Sequence, residues 1–210
     1  MVSNLELKEV GGHTFCPSLL SDGCVIDIGC RGGVFSNEFT DIKVFCIDPD
    51  PKVFTDTIDD VVTWKDEFSK QNLVLMNIAI SDVKGESAYY ENGEATCLQQ
   101  IDPDQNHPFI PCKTITMDDL YEITGTNVDI LKLDCEGAEY IILGETFKPI
   151  PKQISVEFHN HCVPELHNKH YASIIERLSK DYVMMNDVWE QRHGCGFNFW
   201  NTLFIRKDLL

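Results

Sequence analysis

The chain has 210 residues, 43% of them hydrophobic, and a formal net charge of −17 from 17 Lys and Arg against 34 Asp and Glu. That acidity repels phosphate backbones and anionic lipid surfaces, and no cluster of five or more basic residues relieves it, so neither nucleic acid nor membrane is an expected partner. The length suits a single α/β domain over residues 1–210; nine scattered cysteines without a Cys-x-x-Cys pair, no signal-like start and no apolar run of about 18 residues point to a soluble chain in a reducing, cytoplasmic setting.

Residues 1–22 carry a loose apolar set, Leu5, Leu7 and Val10, then Gly11, Gly12, Pro17 and Ser18. They are expected to form an N-terminal flap or short helix in which His13 is a surface residue. Cys24 to Ser36 reads CVIDIGCRGGVFS. Its apolar start predicts a strand buried on both faces. Gly29, Gly32 and Gly33 then turn the chain, and Val34, Phe35 and Phe39 resume at helical spacing. Strand, glycine turn and helix together present backbone N–H groups and a helix N-terminus to a nucleotide-type ligand. A dinucleotide fingerprint wants glycine where Arg31 stands, which disfavours NAD. Asp27, two residues before Gly29, suits a ligand with a cationic end, and S-adenosylmethionine is such a ligand.

Lys43 to Ile47 is a second strand ending at Asp48, about the interval from Gly29 at which an acidic residue meets a ribose. Phe54, Ile58, Val61, Val62, Trp64 and Phe68 predict a helix with one apolar face. Leu73 to Ile80 is a third strand, closed by a turn whose Ser81 and Asp82 are candidates for contacting adenine. Residues 86–115 then break into short extended pieces around Asn92-Gly93 and Asp102-Pro103, a β-rich insertion too long for a plain loop. Thr116, with Asp119 three residues on, caps a short helix over Met117 to Ile123.

Val128 to Leu133 is a fourth strand, ending in Asp134, Cys135, Glu136, Gly137, Ala138 and Glu139 before an apolar helix through Ile141, Ile142 and Phe147. Gln153 to Phe158 is a fifth, with Glu157, His159, Asn160 and His161 at its end. A helix with Tyr171, Ile174, Ile175 and Leu178, a sixth strand over Tyr182 to Met185 and a seventh over Thr202 to Ile205 complete the chain. The segment between the last two, with Gly194, Gly196, Phe197 and Trp200, is expected to be a loop or hairpin.

Several of these pieces together resemble the FkbM family of class I S-adenosylmethionine-dependent methyltransferases. VIDIGCRGGVFS is similar to its glycine motif, and CIDPDP to its acidic ribose motif, with Asp48 where Glu is usual. NIAISDVKGESAYY, KTITMDDL, VDILKLDCEGAEYIIL and SVEFH resemble the segments that follow. The resemblance implies a Rossmann-like, mostly parallel sheet in the order 3-2-1-4-5-7-6 with the last strand antiparallel. It also implies methyl transfer to a hydroxyl oxygen of a sugar or other small metabolite. The cofactor would then be met by Asp27, Gly29, Gly32, Asp48, Ser81, Asp82 and Asp134.

Displacement at a sulfonium depends on in-line placement, and an alcohol must also lose its proton to a base or to a metal-polarised setting. The ends of strands four and five offer Asp134, Glu136, Glu157 and His159. His159, whose unperturbed pKa lies near 7, is the expected base, with Asp134 and Glu136 orienting the acceptor. A divalent metal on these four residues is open from the ligand types, although no metal-specific spacing is present. Two other readings are a module that binds S-adenosylmethionine without turnover and, disfavoured by Arg31, an NAD-dependent oxidoreductase.

Overall fold

In the computed structural model, which describes residues 5–55, 72–92, 95–97, 108–160, 163–191 and 198–210, the apolar runs form the middle of a seven-stranded sheet. Its strands are β3 (Cys24–Ile28), β4 (Lys43–Ile47), β5 (Leu73–Met76), β10 (Val128–Leu133), β11 (Gln153–His159), β12 (Tyr182–Gln191) and β13 (Asn198–Arg206). The order is β12-β13-β11-β10-β3-β4-β5. β13 runs antiparallel to both β11 and β12, while β11, β10, β3, β4 and β5 are parallel neighbours. This is the 3-2-1-4-5-7-6 order with one reversed strand, a Rossmann-like α/β sheet.

Period-2 alternation sends neighbouring residues to opposite faces. Ile26, Ile28, Leu131, Leu133, Ile154, Val156 and Phe158 pack on one face with α2 (Met117–Thr124), α3 (Glu139–Ile142) and α4 (Pro164–Asp181). Val25, Val44, Cys46 and Ile130 face the other way, onto Phe15, Phe35 and Phe39. α2 begins at a capping box in which Thr116 Oγ1 accepts from the Asp119 N–H and the Asp119 carboxylate accepts from the Thr116 N–H. A four-stranded sheet, β6 (Ala79–Ile80), β9 (Phe109–Ile115), β7 (Gly85–Asn92) and β8 (Ala95–Cys97), stands beside the main one. Among the described residues no helix is long and apolar enough to cross a membrane.

Three expectations are corrected. The N-terminal segment is neither a loose flap nor a helix. Lys8–Val10 (β1) and His13–Phe15 (β2) form an antiparallel ribbon around Gly11 and Gly12, followed by a 3-10 turn at Pro17–Leu19. Phe15 drops into the aromatic cluster, with ring centroids 5.9 Å from Phe35 and 5.2 Å from Phe39, and the Gln153 side chain bonds both the N–H and the carbonyl of Cys16. No helix follows the glycine turn either. A single 3-10 turn at Ser36–Glu38 takes its place, because Ser36 Oγ donates to Asp27 Oδ2 at 2.6 Å and holds the segment against the sheet. Finally, the run from Leu73 to Ile80 is two strands in two sheets. Asn77 Nδ2 donates to the carbonyls of Asp48 and Pro49 and draws the chain out of the main sheet.

The helix expected over Phe54 to Phe68 is described only as α1 (Lys52–Thr55); the rest of it, His161, and Gly194 to Phe197 lie outside the described residues. The helix expected through Phe147 stops after the one turn of α3.

Candidate active site

The site lies at the C-terminal ends of the parallel strands, starting with the turn after β3. Gly29 has φ +77°, and a Cβ there would lie 1.7 Å from the carbonyl oxygen of Asp134, so only glycine lets the turn pass the end of β10. Gly32 also has φ +77°, but a Cβ there would meet nothing within 4 Å. One glycine is demanded by packing. The other faces open space.

Asp27 does not face that space. It is 1% exposed, accepts from Ser36 Oγ, and pairs through Oδ1 with Lys132 Nζ at 3.0 Å. Its carboxylate answers a cation of the chain rather than one of a ligand. Lys132 reaches across the sheet face, donating to the carbonyl of Gly29 at 2.6 Å and lying 3.5 Å from Asp134 Oδ2. Burial pulls the Lys132 pKa down, but Asp27 and Asp134 more than offset this and hold it above its ordinary value.

At the end of β4, Asp48 is 2% exposed. Its Oδ1 accepts from the Asp50 N–H at 2.9 Å, so a ribose would be met by the other oxygen. Burial pushes its pKa up from 3.8 to about 7, with the backbone bond to Asp50 opposing the rise. Ser81 and Asp82 leave from β6, in the second sheet, where Ser81 Oγ bonds Asp82 Oδ1 at 3.0 Å and its N–H donates to the Ile115 carbonyl. The residue that follows β5 beside Asp48 is Asn77, which the unbroken apolar spacing concealed.

The ends of β10 and β11 bring Asp134, Glu136, Glu157 and His159 together. His159 is 1% exposed. Its Nε2 stands 3.4 Å from Glu157 Oε1, 3.5 Å from Asp134 Oδ1 and 3.6 Å from Glu136 Oε2, and its Nδ1 stands 3.0 Å from Glu139 Oε1. Glu139 also caps the loop before α3, accepting from the N–H groups of Cys135 and Gly137. Glu136 holds φ +50°, a left-handed conformation uncommon for a side-chain-bearing residue. Burial lowers the His159 pKa, but Glu139, Glu157 and Glu136 outweigh it and raise it well above the ordinary value. Its titration is therefore not near 7, as the isolated side chain suggested. For Asp134, burial is outweighed by Lys132 and His13, which hold it below the usual carboxylate range.

His13 is the largest departure from expectation. It is not a surface residue: it is 1% exposed, with Nε2 3.3 Å from Asp134 Oδ2 and Nδ1 3.2 Å from Ser155 Oγ. The sequence held a signal for this. Gln153, Ser155, Glu157 and His159 alternate on one face of β11 while Ile154, Val156 and Phe158 fill the other, and a polar stripe on a buried strand needs polar cover. The ribbon supplies it. Lys132, a charge inside the otherwise apolar VDILKL strand with Asp129, was a second such signal.

A Rossmann-like sheet in this order, with a glycine turn after its first strand and an acidic residue after its second, defines the class I methyltransferase fold. The chain belongs to the FkbM methyltransferase family: the methyltransferase FkbM domain matches residues 40–197. Among solved structures, it is similar to a methyltransferase FkbM from Methylobacillus flagellatus KT (12% identity, TM-score 0.47, covering 91% of this chain and 46% of that one). It is also similar to Aeropyrum pernix fibrillarin with natively bound S-adenosyl-L-methionine (9% identity, TM-score 0.48, 96% and 84%). A third is P. horikoshii TYW2 in complex with MeSAdo (13% identity, TM-score 0.47, 89% and 58%). The chain thus spans less than two thirds of the TYW2 chain and under half of the Methylobacillus one. No curated protein matches it.

Proposed function

We propose that the protein methylates a hydroxyl oxygen of a small-molecule acceptor, a sugar or related metabolite, with S-adenosylmethionine as donor. The observation that carries this reading is that an open glycine turn and Asp48 share one sheet edge with the cluster of His159 and its carboxylates. The turn fits the cofactor because Gly32 leaves room for close approach, and Asp48 offers a carboxylate oxygen to ribose hydroxyls. Asp27 acts from beneath, by fixing Lys132 under the Gly29 carbonyl. Ser81 and Asp82 remain candidates for the adenine from the second sheet, with Asn77 nearer the end of β5.

S-adenosylmethionine bound there would supply an electrophilic methyl to the acceptor oxygen, its sulfur keeping the electron pair of the broken carbon–sulfur bond. The hydroxyl proton passes to the group formed by His159, Asp134, Glu136 and Glu157, the three carboxylates standing around His159 Nε2. His13 keeps Asp134 in place from the ribbon. The acidic chain disfavours nucleic acid and membrane as partners, and free thiols at Cys16, Cys24, Cys30, Cys46, Cys112 and Cys135 agree with a reducing, cytoplasmic setting.

The test is isotope transfer. Wild-type protein incubated with methyl-labelled cofactor and pooled sugars and polyols should yield a product heavier by one labelled methyl. His159→Ala should lower turnover on the order of 10² to 10⁴-fold with cofactor affinity unchanged by calorimetry. Cofactor bound but never consumed would favour a binding module without turnover, and absence of cofactor binding would overturn the reading.

A further inference from the structure

Around His159 Nε2 three carboxylate oxygens stand at nearly one distance, from 3.4 Å to 3.6 Å. Charge-assisted N–H···O bonds close to about 2.7–2.9 Å, clearly shorter than these. Ligand atoms about 2.0–2.2 Å from a common ion at tetrahedral angles are instead separated by roughly 3.3–3.6 Å. The three Nε2–oxygen separations fall in that range, and Asp134, Glu136 and His159 each offer a ligand atom within 4.8 Å of the others. We propose that Asp134, Glu136 and His159 hold one divalent cation at the ends of β10 and β11, with Glu157 beside them.

The surroundings of these three side chains agree. Glu139 engages His159 Nδ1 at 3.0 Å and leaves Nε2 aimed at the shell, as the outer carboxylate of a metal-bound histidine does. Asp134 divides its two oxygens: Oδ2 faces His13 and Lys132, at 3.3 Å and 3.5 Å, and Oδ1 faces His159. Ligands therefore come from two chain segments, and their orientations are fixed by a helix, a ribbon and a neighbouring strand. One imidazole with two carboxylates suits Mn²⁺, Fe²⁺ or Zn²⁺ better than the all-oxygen shells of Ca²⁺. For turnover the proposal rests on the methyl-transfer reading, in which the ion polarises the acceptor hydroxyl so that its proton leaves more readily. For binding it stands independently.

The full chain, stripped with a chelator and dialysed, is titrated with Mn²⁺ and free Mn²⁺ is followed by electron paramagnetic resonance, without cofactor or acceptor. One equivalent per chain should bind. His159→Gln and Glu136→Gln should each weaken binding by at least about 10- to 100-fold. Asp118→Asn, which removes an exposed carboxylate paired with Lys148, should leave it unchanged. Glu136 is partly exposed, so its variant stays informative even where His159→Gln fails to fold. Failure of wild type to bind stoichiometric Mn²⁺ or Zn²⁺, or unaltered binding by Glu136→Gln, overturns the proposal. Metal bound without any labelled methyl transfer would keep the cation site and remove the methyl-transfer reading; transfer by a chain that binds no ion would do the reverse.

Discussion

Replacing Asp48 by asparagine separates what the cofactor site needs from what the fold prefers. In the folded chain the Asp48 carboxyl titrates at about 7, against 3.8 as the ordinary value, with burial the leading cause. Over that interval the native state keeps a proton that the unfolded chain has already released, so native stability falls as pH rises through it and levels off above about 7. The full difference corresponds to roughly 4 kcal/mol. The amide introduced by Asp48→Asn carries no charge to bury, and its side-chain oxygen still accepts the Asp50 N–H. Asp48→Asn should therefore gain on wild type as pH rises, by about 2–3 kcal/mol between pH 5 and pH 8, or roughly 5–10 °C in melting temperature for a chain of this size. Thermal melts of the cofactor-free proteins at both pH values read this directly. The same substitution should weaken S-adenosylmethionine binding, because a neutral amide replaces a charged acceptor for the ribose. A wild-type minus variant difference that stays flat from pH 5 to pH 8 would refute the argument, since only ionisation of Asp48 makes it slope.

Two further outcomes follow from the turn beside it. Gly29→Ala puts a methyl 1.7 Å from the Asp134 carbonyl at φ +77° and should destabilise by roughly 2–6 kcal/mol in urea titrations; a cost under about 1 kcal/mol would mean that the turn is not seated on β10. Lys132→Met strands the buried Asp27 charge and should cost about 3–5 kcal/mol. Adding Asp27→Asn should recover part of that loss, and a double variant no better than the single one would contradict the pairing.

Much of the fold was legible because the central strands are continuous apolar runs, which only a sheet covered on both faces makes favourable, and because Gly29 and Asp48 end theirs at the expected interval. Less legible was everything set by contacts distant in sequence. Val34, Phe35 and Phe39 have helical spacing, yet the 3-10 turn they flank is held by a bond from Ser36 to Asp27 that spacing does not report. LVLMNIAI reads as one strand, since Asn77 interrupts it through backbone carbonyls on another loop. His13 lies 121 positions from the aspartate it approaches. Its neighbours Gly11 and Gly12 are visible as a turn, but the surface beneath the ribbon is assembled from β11 and β13. For the cluster itself, the sequence identified the residue types at the two strand ends; Glu139 and Lys132, which orient and charge it, were missed because each looked like part of its own helix or strand.

Lys132 also bears on how ligands would influence one another. Its ammonium binds the carbonyl that begins the glycine turn and stands against the carboxylate that begins the loop before α3, while the Gly29 backbone rests on the carbonyl of that same Asp134. A shift of the turn on cofactor entry would thus be passed to Asp134 through one buried cation and one close backbone contact. The two halves of the site would then share a coupling free energy. By thermodynamic necessity it is reciprocal: whatever factor the cofactor contributes to affinity at the Asp134 side, occupancy there returns to the cofactor. Loosening Lys132 should bring that factor toward one from both directions.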